Sequence, residues 1–405
     1  MKRQKLIYGL LATSLILASA SCKKDGVRTI TAGPNLTSGI PQPLNSSSSY
    51  WNYAQQTHSF IVGNILTTYN SYRGNTTTEF NNAFEWYNTS QIYADAAFVK
   101  AGDSRYATFM NNTYTWMGNM WDTHSSLGGY FSSANLDGSG AGGDKYVDDC
   151  SVTALAYLDA YNVTTGTAQT NYLNSAKACA NWMMNSGLWT SADGGGFYQR
   201  TGLGAVKPTQ TNGLALQVFL KLYQITGQSF YHDWAISIKN WLEGNMYDSL
   251  TGLYVWEFDA NGIKQNIKFT YDNAIMVEAD LLYSSIIGDG NYVTKAQNLG
   301  ISMNKTLWNT TYHVYIFNTN DQRVNPAWCV WGSQAMVRLY ERDGNTAWLD
   351  YAQQNIDFMN TKLRNPTNFG YYSFVNLDGT ARYTNFEGVD QSWMQRTQVL
   401  LSNYR

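Results

Sequence analysis

Residues 142–158 read GGDKYVDDCSVTALAYL, a glycine-rich loop that runs into a helix-favouring and largely apolar segment. Two adjacent carboxylates, Asp148 and Asp149, stand where the helix is predicted to begin. One aspartate at a helix start is an ordinary N-cap, because it accepts hydrogen bonds from free backbone N–H groups and suits the helix dipole. A second aspartate beside it is harder to explain as a cap, since adjacent like charges oppose each other's ionisation. The dipeptide is therefore either a cap or a pair of acid–base groups.

A repeat extends outward from this stretch along the whole chain. Short glycine-containing turns, each followed by a helix with an aromatic residue near its start, recur at 101–106, 165–172, 226–231, 288–292 and 343–348. The spacing of roughly sixty residues fits two helices and two connections. Apolar residues at i, i+3, i+4 and i+7 predict twelve helices, at about 48–72, 84–101, 103–122, 148–163, 168–186, 209–226, 229–246, 271–288, 291–307, 326–342, 345–363 and 389–404.

The connections alternate between short turns and long loops rich in Gly, Asp and aromatic residues. Some long loops carry hairpin-like sequences, as at 252–258 and 370–374. This alternation predicts an all-α fold, an (α/α)6 barrel of six inner and six outer helices with the long loops on the active-site face. An open solenoid is the alternative, although it would normally show atypical capping repeats at its ends.

In a closed barrel, each long loop leads into the N-terminus of an inner helix. Six positive helix-dipole ends would then point at one face. Asp148 and Asp149 lie at one of these ends, which favours the catalytic interpretation over the cap.

The N-terminus has the features of an export signal. Basic residues at 2–5 precede the apolar stretch 6–18, and small residues at 19–21 end at Cys22. The apolar stretch is too short for a membrane span and polar residues follow it. Its end resembles the lipobox of bacterial lipoproteins, in which this cysteine is acylated. Ordinary secretion with an incidental cysteine is the alternative.

Three segments follow from this pattern. We expect a lipoprotein signal peptide at 1–22, a flexible tether at 23–47 rich in Ser, Pro, Gly, Thr and Asn, and a folded domain at 48–405. The lipid anchor would hold the protein at the outer membrane, on its cell-surface or periplasmic face.

The composition narrows the class of ligand. The formal net charge is −2, and charged residues make up 14% of the chain against about a quarter in a typical globular protein. No basic face indicates nucleic acid, and no acidic run indicates a polycation. A weakly charged surface with 14 Trp and 30 Tyr in the chain suits a neutral, hydroxylated ligand such as a polysaccharide. The alternative is that most tryptophans pack between helices.

Cysteine and histidine give no pattern for a metal site. Besides Cys22 there are Cys150, Cys179 and Cys329, without a CxxC motif, and the four His are scattered singly. No metal or cofactor is predicted. A disulfide between two of the three cysteines is open, and the other interpretation is that they are small buried apolar residues.

Several segments together resemble a known family. They are YVDD at 146–149, ALAYLDAY at 154–161, KPTQTNGLA at 207–215, FTYDNA at 269–274 and VDQS at 389–392. Their order and their placement at helix starts are similar to glycoside hydrolase family 76, the bacterial and fungal endo-α-1,6-mannanases. The resemblance extends over nearly the whole folded region and implies an (α/α)6 barrel.

The resemblance also implies a reaction and a substrate. The protein would cleave α-1,6-mannosidic linkages in α-mannan with retention of configuration, with Asp148 as nucleophile and Asp149 as general acid/base. Retention asks for carboxyl groups about 5–5.5 Å apart. Burial and its neighbour's charge would raise the pKa of Asp149, while helix N–H groups keep Asp148 ionised. From the residues alone the two roles could be exchanged.

Substrate contacts are predicted from two groups of residues. Polar residues at the other inner-helix starts are Asn212, Asp272, Asn273, Asp390 and Gln391, for which helix capping is the alternative. Aromatic residues that could stack on sugar rings are Tyr146, Phe197, Tyr198, Trp256, Tyr271, Trp328 and Tyr372, for which packing is the alternative.

Two other functions stay open. Another (α/α)6 carbohydrate enzyme, such as an unsaturated-glucuronyl hydrolase or an epimerase, would favour His or a basic cluster, and His is scarce in this chain. A non-catalytic glycan-capture lipoprotein would not need Asp148 and Asp149. In each case we expect a monomer whose partner is a polysaccharide or oligosaccharide.

Overall fold

A computed structural model of the protein describes residues 46–77 and 82–405. The predicted signal peptide, the anchor Cys22 and nearly all of the tether lie outside the described residues. Among the described residues, no helix is both long and apolar enough to cross a membrane.

The described part of the chain contains twelve α-helices and eleven short strands. The helices are α1 Ser49–Asn64, α2 Glu85–Lys100, α3 Tyr106–Met117, α4 Val147–Val163, α5 Gly166–Asn185, α6 Thr209–Thr226, α7 Ser229–Trp241, α8 Thr270–Ile287, α9 Asn291–Thr306, α10 Pro326–Asp343, α11 Thr346–Lys362 and α12 Gly388–Ser402. The strands are β1 Asn82–Phe84, β2 Ser133–Asn135, β3 Lys207–Pro208, β4 Tyr247–Asp248, β5 Leu253–Tyr254, β6 Glu257–Phe258, β7 Lys264–Gln265, β8 Trp308–Asn309, β9 Val314–Tyr315, β10 Phe374–Val375 and β11 Ala381–Tyr383.

The even-numbered helices form a closed inner ring. Each contacts the next even-numbered helix, and α12 contacts α2. The odd-numbered helices lie outside, each against one inner helix, and α1 from the N-terminal part packs on α12 from the C-terminus. The Ser48 hydroxyl bonds the Arg405 carbonyl, which joins the two ends of the described domain. The predicted (α/α)6 barrel is confirmed.

Most helix bounds agree with the periodicity, and the first helix is the clearest exception. The helix predicted over 48–72 ends at Asn64. Leu66 and Tyr72 pair across a tight turn in which Asn70 has a left-handed φ of 66°. The apolar residues after Asn64 therefore belong to a small hairpin. Their spacing in the sequence resembles that of a further helical turn, which is why the helix was predicted to continue.

A side-chain amide at the fourth residue of an inner helix joins that helix to the preceding loop. The Asn273 carboxamide accepts the Tyr254 N–H at 2.7 Å and donates to the Tyr254 carbonyl at 3.2 Å. It also donates to the carbonyl of Phe269, the N-cap residue, at 2.9 Å. One side chain thus satisfies three buried backbone groups, which would otherwise be costly to bury.

This amide clamp recurs around the ring with a buried aromatic residue as its loop partner. The pairs are Asn88 with Tyr72, Asn212 with Phe197, Asn273 with Tyr254 and Gln391 with Tyr371. In α10 the fourth residue is Cys329, and Asn355 of α11 holds the Tyr315 N–H instead. In α4 the fourth residue is Cys150. Cys150, Cys179 and Cys329 are free and buried.

Charged side chains from the inner helices close the opposite end of the barrel. Asp159 of α4 pairs with Lys221 of α6 at 3.2 Å and with Arg396 of α12 at 3.5 Å. The Arg396 guanidinium lies 3.6 Å from the centre of the Tyr93 ring. Burial opposes ionisation of Asp159, but the surrounding cations lower its pKa.

Replacing a clamp amide should destabilise the protein without touching the carboxylate pair. Asn273→Ala removes the amide partner of the buried Tyr254 N–H and carbonyl, while the Phe269 carbonyl keeps the backbone N–H of residue 273, so we expect a loss of about 3 kcal/mol in the free energy of unfolding. Urea denaturation followed by circular dichroism measures it. Asn185→Ala, an exposed asparagine at the end of α5, is the matched control and should change stability by less than about 0.5 kcal/mol. Equal stability of the two variants would contradict the structural role of the clamp.

Candidate active site

The long loops bring the starts of the six inner helices together at one face. We call the second and third residues of these helices the mouth ring. They are Trp86, Tyr87, Asp148, Asp149, Gln210, Thr211, Tyr271, Asp272, Ala327, Trp328, Val389 and Asp390. Asp148 and Asp149 therefore lie in the first turn of α4, as the sequence predicts.

Asp148 is buried and hydrogen-bonded at both carboxylate oxygens. Only 4% of the residue is exposed. Its Oδ2 accepts the Gln199 side-chain amide at 2.8 Å, and its Oδ1 accepts the Asp149 backbone N–H at 3.2 Å. Burial raises its pKa to about 6, while the Gln199 amide and the helix N–H groups oppose that rise. Above pH 6 this carboxyl is an ionised group in a fixed orientation.

Asp149 has a different environment. Burial, followed by the charge of Asp148, raises its pKa well above the ordinary value. Among the described residues, no donor forms a hydrogen bond to its carboxylate oxygens. The two environments therefore favour the ionised form of Asp148 and the protonated form of Asp149, the division of roles that acid–base catalysis requires.

The two carboxyl groups face different neighbours. Successive residues of a helix point about 100° apart around its axis. Asp148 faces the loop before α6 through its bond to Gln199, whereas the charge of Asp149 raises the pKa of Glu85 and of Tyr87 on α2. Adjacent positions can thus act on different sides of one substrate.

A third carboxyl, Glu85, lies beside the pair and was not predicted. It is the first residue of α2 and is fully buried. Its Oε1 accepts the Thr153 hydroxyl at 2.8 Å, and Thr153 lies one helical turn beyond Asp149. Burial first, then the charges of Cys150 and Asp149, raise the pKa of Glu85 well above its ordinary value. These effects favour its protonated form, which adds no charge next to the pair.

Aromatic rings from α2, α10 and α8 meet at the mouth. Trp86 lies 5.2 Å from Trp328, and Trp328 lies 4.8 Å from Tyr271, between ring centres. Tyr271 continues to Phe269, and Phe269 to Trp256, at 5.0 and 5.2 Å. Trp86 and Trp328 are half-buried. The structure thus brings the predicted Tyr271, Trp256 and Trp328 together and adds Trp86, which was not predicted.

A second pair of acidic groups lies at the same face. Asp272 of α8 is fully buried, and burial raises its pKa while the Gln210 N–H opposes the rise. Glu257 of β6 is 7% exposed, and burial raises its pKa to about 7. The charge of Glu257 also raises the pKa of Asp272. Glu257 is therefore partly protonated near neutral pH, and Asp272 is harder to ionise than an exposed aspartate.

Four predicted substrate contacts require correction. Asn212, Asn273 and Gln391 are fully buried, and their amides are occupied by the clamps described above. Phe197 is fully buried and stacks on Trp234 at 5.5 Å, so its ring faces outer helix α7. Sequence reasoning placed these residues correctly at helix starts and loops but assigned ligand contact to groups that hold the scaffold.

Asp390 lies in the mouth ring but serves the neighbouring helix. It is 1% exposed, and its Oδ1 accepts the Ala327 N–H at 3.0 Å near the start of α10. This is the helix-capping alternative, acting between two inner helices instead of within one.

The remaining predicted aromatic residues lie in the surrounding loops. Tyr146 precedes α4, is half-buried, and pairs with Arg200 across a short ladder. Tyr198 is half-buried under the Lys207 ammonium, which lies 4.6 Å from its ring centre. The Tyr372 ring stacks on Phe386 at 5.1 Å. Contact of Tyr146 and Tyr198 with a sugar stays a prediction.

The mouth ring contains no histidine and no candidate set of metal ligands. His58 lies on α1, His232 on α7, and His124 and His313 in loops, so none belongs to the mouth ring. In the described ranges, no group of three or more His, Cys, Asp or Glu could hold a metal ion.

Comparison with known proteins is consistent with this geometry. The sequence model of glycosyl hydrolase family 76 matches residues 53–325. No curated protein matches the chain.

Solved structures with the same fold include hydrolases and an epimerase. A family 76 α-mannanase from Bacteroides thetaiotaomicron is 21% identical, with a TM-score of 0.77 over 90% of this chain and 98% of that one. An inactive variant of an α-1,6-mannanase from a Salegentibacter species, in complex with α-1,6-mannotriose, is 17% identical, with a TM-score of 0.69 over 88% and 99%. A cellobiose 2-epimerase from Bacillus thermoamylovorans is 12% identical, with a TM-score of 0.73 over 87% and 98%.

At these identities the structural likenesses show the fold alone. The family match is the stronger finding, because it extends over more than half of the chain and includes α4 with its two aspartates. The chain belongs to glycosyl hydrolase family 76 and is a glycoside hydrolase.

Proposed function

We propose that the protein cleaves α-1,6-mannosidic linkages in α-mannan with retention, using Asp148 as nucleophile and Asp149 as general acid/base. The observation that carries the proposal is the different environment of the two adjacent carboxyls. Gln199 and a helix N–H stabilise the ionised form of Asp148, and burial beside that charge favours the protonated form of Asp149.

The reaction has two steps. Asp148 attacks the anomeric carbon to form a glycosyl-enzyme ester, while Asp149 gives its proton to the departing glycosidic oxygen. Asp149, now ionised, then takes a proton from water as the water attacks the anomeric carbon and releases Asp148. Asp149 can serve as acid and base because its pKa is high when Asp148 is charged and falls when Asp148 is esterified.

The substrate class rests on relatives and on the chemistry of the mouth. The relatives include α-mannanases, and the mannotriose complex was obtained with an inactive variant in which two adjacent aspartates are replaced by asparagine. The aromatic row Trp86–Trp328–Tyr271 offers flat apolar faces for sugar rings. The net charge of the chain is close to zero, which suits an uncharged polymer as substrate.

Histidine placement gives no support to the epimerase alternative. The side chains available at the mouth are carboxyls, amides and aromatic rings, whereas all four histidines lie elsewhere. Hydrolysis by paired carboxyls uses the groups that the mouth ring contains.

The direct test is a panel of α-linked mannans and mannobioses incubated with the purified protein. We expect cleavage of α-1,6-linked substrates, and early products in the α configuration by proton NMR, because two displacements at one carbon restore its configuration. β-Configured early products would contradict retention. Absence of cleavage across the panel would contradict the proposed substrate class.

Single substitutions should separate the two roles. Asp149→Asn should slow mannan cleavage by about 10²- to 10⁴-fold, yet largely retain the first step on an aryl mannoside with a dinitrophenol leaving group, which departs without a proton. Asp148→Asn should lose activity on both substrates, because no nucleophile remains. Stopped-flow measurement of phenol release distinguishes them. The opposite result would exchange the two roles.

We also propose that the chain is exported and held at the outer membrane by acylated Cys22, as its N-terminal sequence suggests. In a bacterial host that processes lipoproteins, the full-length protein should incorporate labelled palmitate and sediment with membranes. Cys22→Ser should remove the label and release the protein, whereas Cys179→Ser, a buried cysteine in α5, should not. Unlabelled wild-type protein would contradict the anchor.

A further inference from the structure

Gln199 contacts both the backbone and the side chain of the helix start that carries the carboxylate pair. Its carbonyl accepts the N–H of Val147, the first residue of α4, at 2.7 Å. Its side-chain amide donates to Asp148 Oδ2 at 2.8 Å. One residue therefore fixes the position of the helix end and the orientation of the carboxylate on it.

The segment that carries Gln199 is itself tied down. The Gln199 N–H donates to the Val206 carbonyl at 2.8 Å. The neighbouring Thr201 N–H donates to the Lys145 carbonyl at 3.0 Å, and the Lys145 N–H donates to the Thr201 hydroxyl at 3.1 Å. This ladder holds the amide in place before any substrate binds, so its orienting effect carries no ordering cost during the reaction.

The other groups around Asp148 do not supply a positive charge. Its charge acts on Asp149 of the same helix, on Glu85 of α2, on Tyr271 of α8 and on Tyr146 of the preceding loop. Each of these groups is an acid that is neutral when protonated and would repel Asp148 when ionised. From α6, the Thr211 hydroxyl opposes the rise in its pKa.

The cations next to this site in sequence are paired elsewhere. The Lys145 ammonium bonds Asp122 Oδ2 and the Gly128 carbonyl, each at 2.6 Å. The Arg200 guanidinium bonds Asp144. Uncharged donors therefore stabilise the ionised form of Asp148. Among them, the Gln199 amide donates a direct side-chain hydrogen bond to the carboxylate.

We propose that Gln199 is a positioning residue for the hydrolytic reaction, one that fixes the rotamer and the ionised state of Asp148. With Oδ1 on a helix N–H and Oδ2 on the amide, the carboxylate has a single orientation toward the anomeric carbon. The proposal rests on the proposed role of Asp148 as nucleophile.

Gln199→Leu tests the proposal by removing the donor at nearly constant size. In the wild type, kcat/KM should decrease as the pH is lowered through about 6, since the nucleophile must be ionised. We call this decrease the acidic limb. Loss of a hydrogen bond to the charged form raises the pKa of Asp148, so the limb should move upward by about one pH unit. The kcat value should fall about tenfold or more, with a smaller change in KM, because a misoriented nucleophile slows chemistry.

Gln297→Leu is the matched control. Gln297 lies on outer helix α9 and donates to Asp343 at 2.8 Å, so the same substitution removes the same kind of bond far from the mouth. It should leave the pH limb and kcat unchanged. Gln199→Glu keeps the size of the side chain but bonds Asp148 only when protonated, so it should also move the limb upward.

The outcome that overturns the proposal is a Gln199→Leu enzyme with the wild-type pH limb, whether or not its melting temperature or total activity falls. A measurement without substrate distinguishes failure of the proposed role of Gln199 from failure of the proposed function. The carboxyl ¹³C resonance of Asp148, identified through Asp148→Asn, should titrate at higher pH in Gln199→Leu than in the wild type. An unchanged titration would overturn the role of Gln199 even if no mannan were cleaved.

Discussion

The barrel depends on buried side-chain amides that bind the backbone of the loop preceding four of the six inner helices, α2, α6, α8 and α12. Long loops carry polar backbone groups, and burying them at the wall of a barrel requires partners that regular secondary structure does not provide. Asn212, Asn273 and Gln391 each supply a donor and an acceptor to one aromatic residue of the loop. The loop is thereby fixed to the helix start, and the residues just before the clamp, including the mouth ring, have fixed positions.

Fixed positions make it possible for two identical side chains to differ in chemistry. Asp148 and Asp149 share a helix turn and a dipole, so those features do not distinguish them. The difference comes from across the loop, where Gln199 donates a hydrogen bond to Asp148, whereas burial and the charge of Asp148 raise the pKa of Asp149. A hydrogen bond to the charged form of Asp148 lowers its pKa, and burial of Asp149 beside that charge raises the other, so the proton affinities of the adjacent groups separate.

The sequence predicts what depends on local periodicity and leaves out what depends on contacts across the barrel. The helices and the placement of Asp148 and Asp149 follow from apolar spacing and from the loop lengths. Gln199 is 51 residues from Asp148, and its loop has no pattern that marks a donor. A polar residue at a helix start can contact a ligand, cap the helix or bind a neighbouring loop, and the local sequence does not distinguish these roles. Asn212 and Asn273 were therefore assigned to a ligand, although they bind loops. Their fourth position in the helix is the signal that could have identified them.

The chain enters the barrel at Ser49, where outer helix α1 begins. Outer helices run opposite to inner ones, so α1 starts at the end of the barrel that carries Asp159 and Arg396, and the mouth lies at the other end. A segment upstream of Ser49 therefore leaves from the face opposite the carboxylates. The point where the chain enters the fold and the carboxylate pair thus lie at opposite ends of the barrel, so a long polymer can approach the mouth without meeting the start of α1.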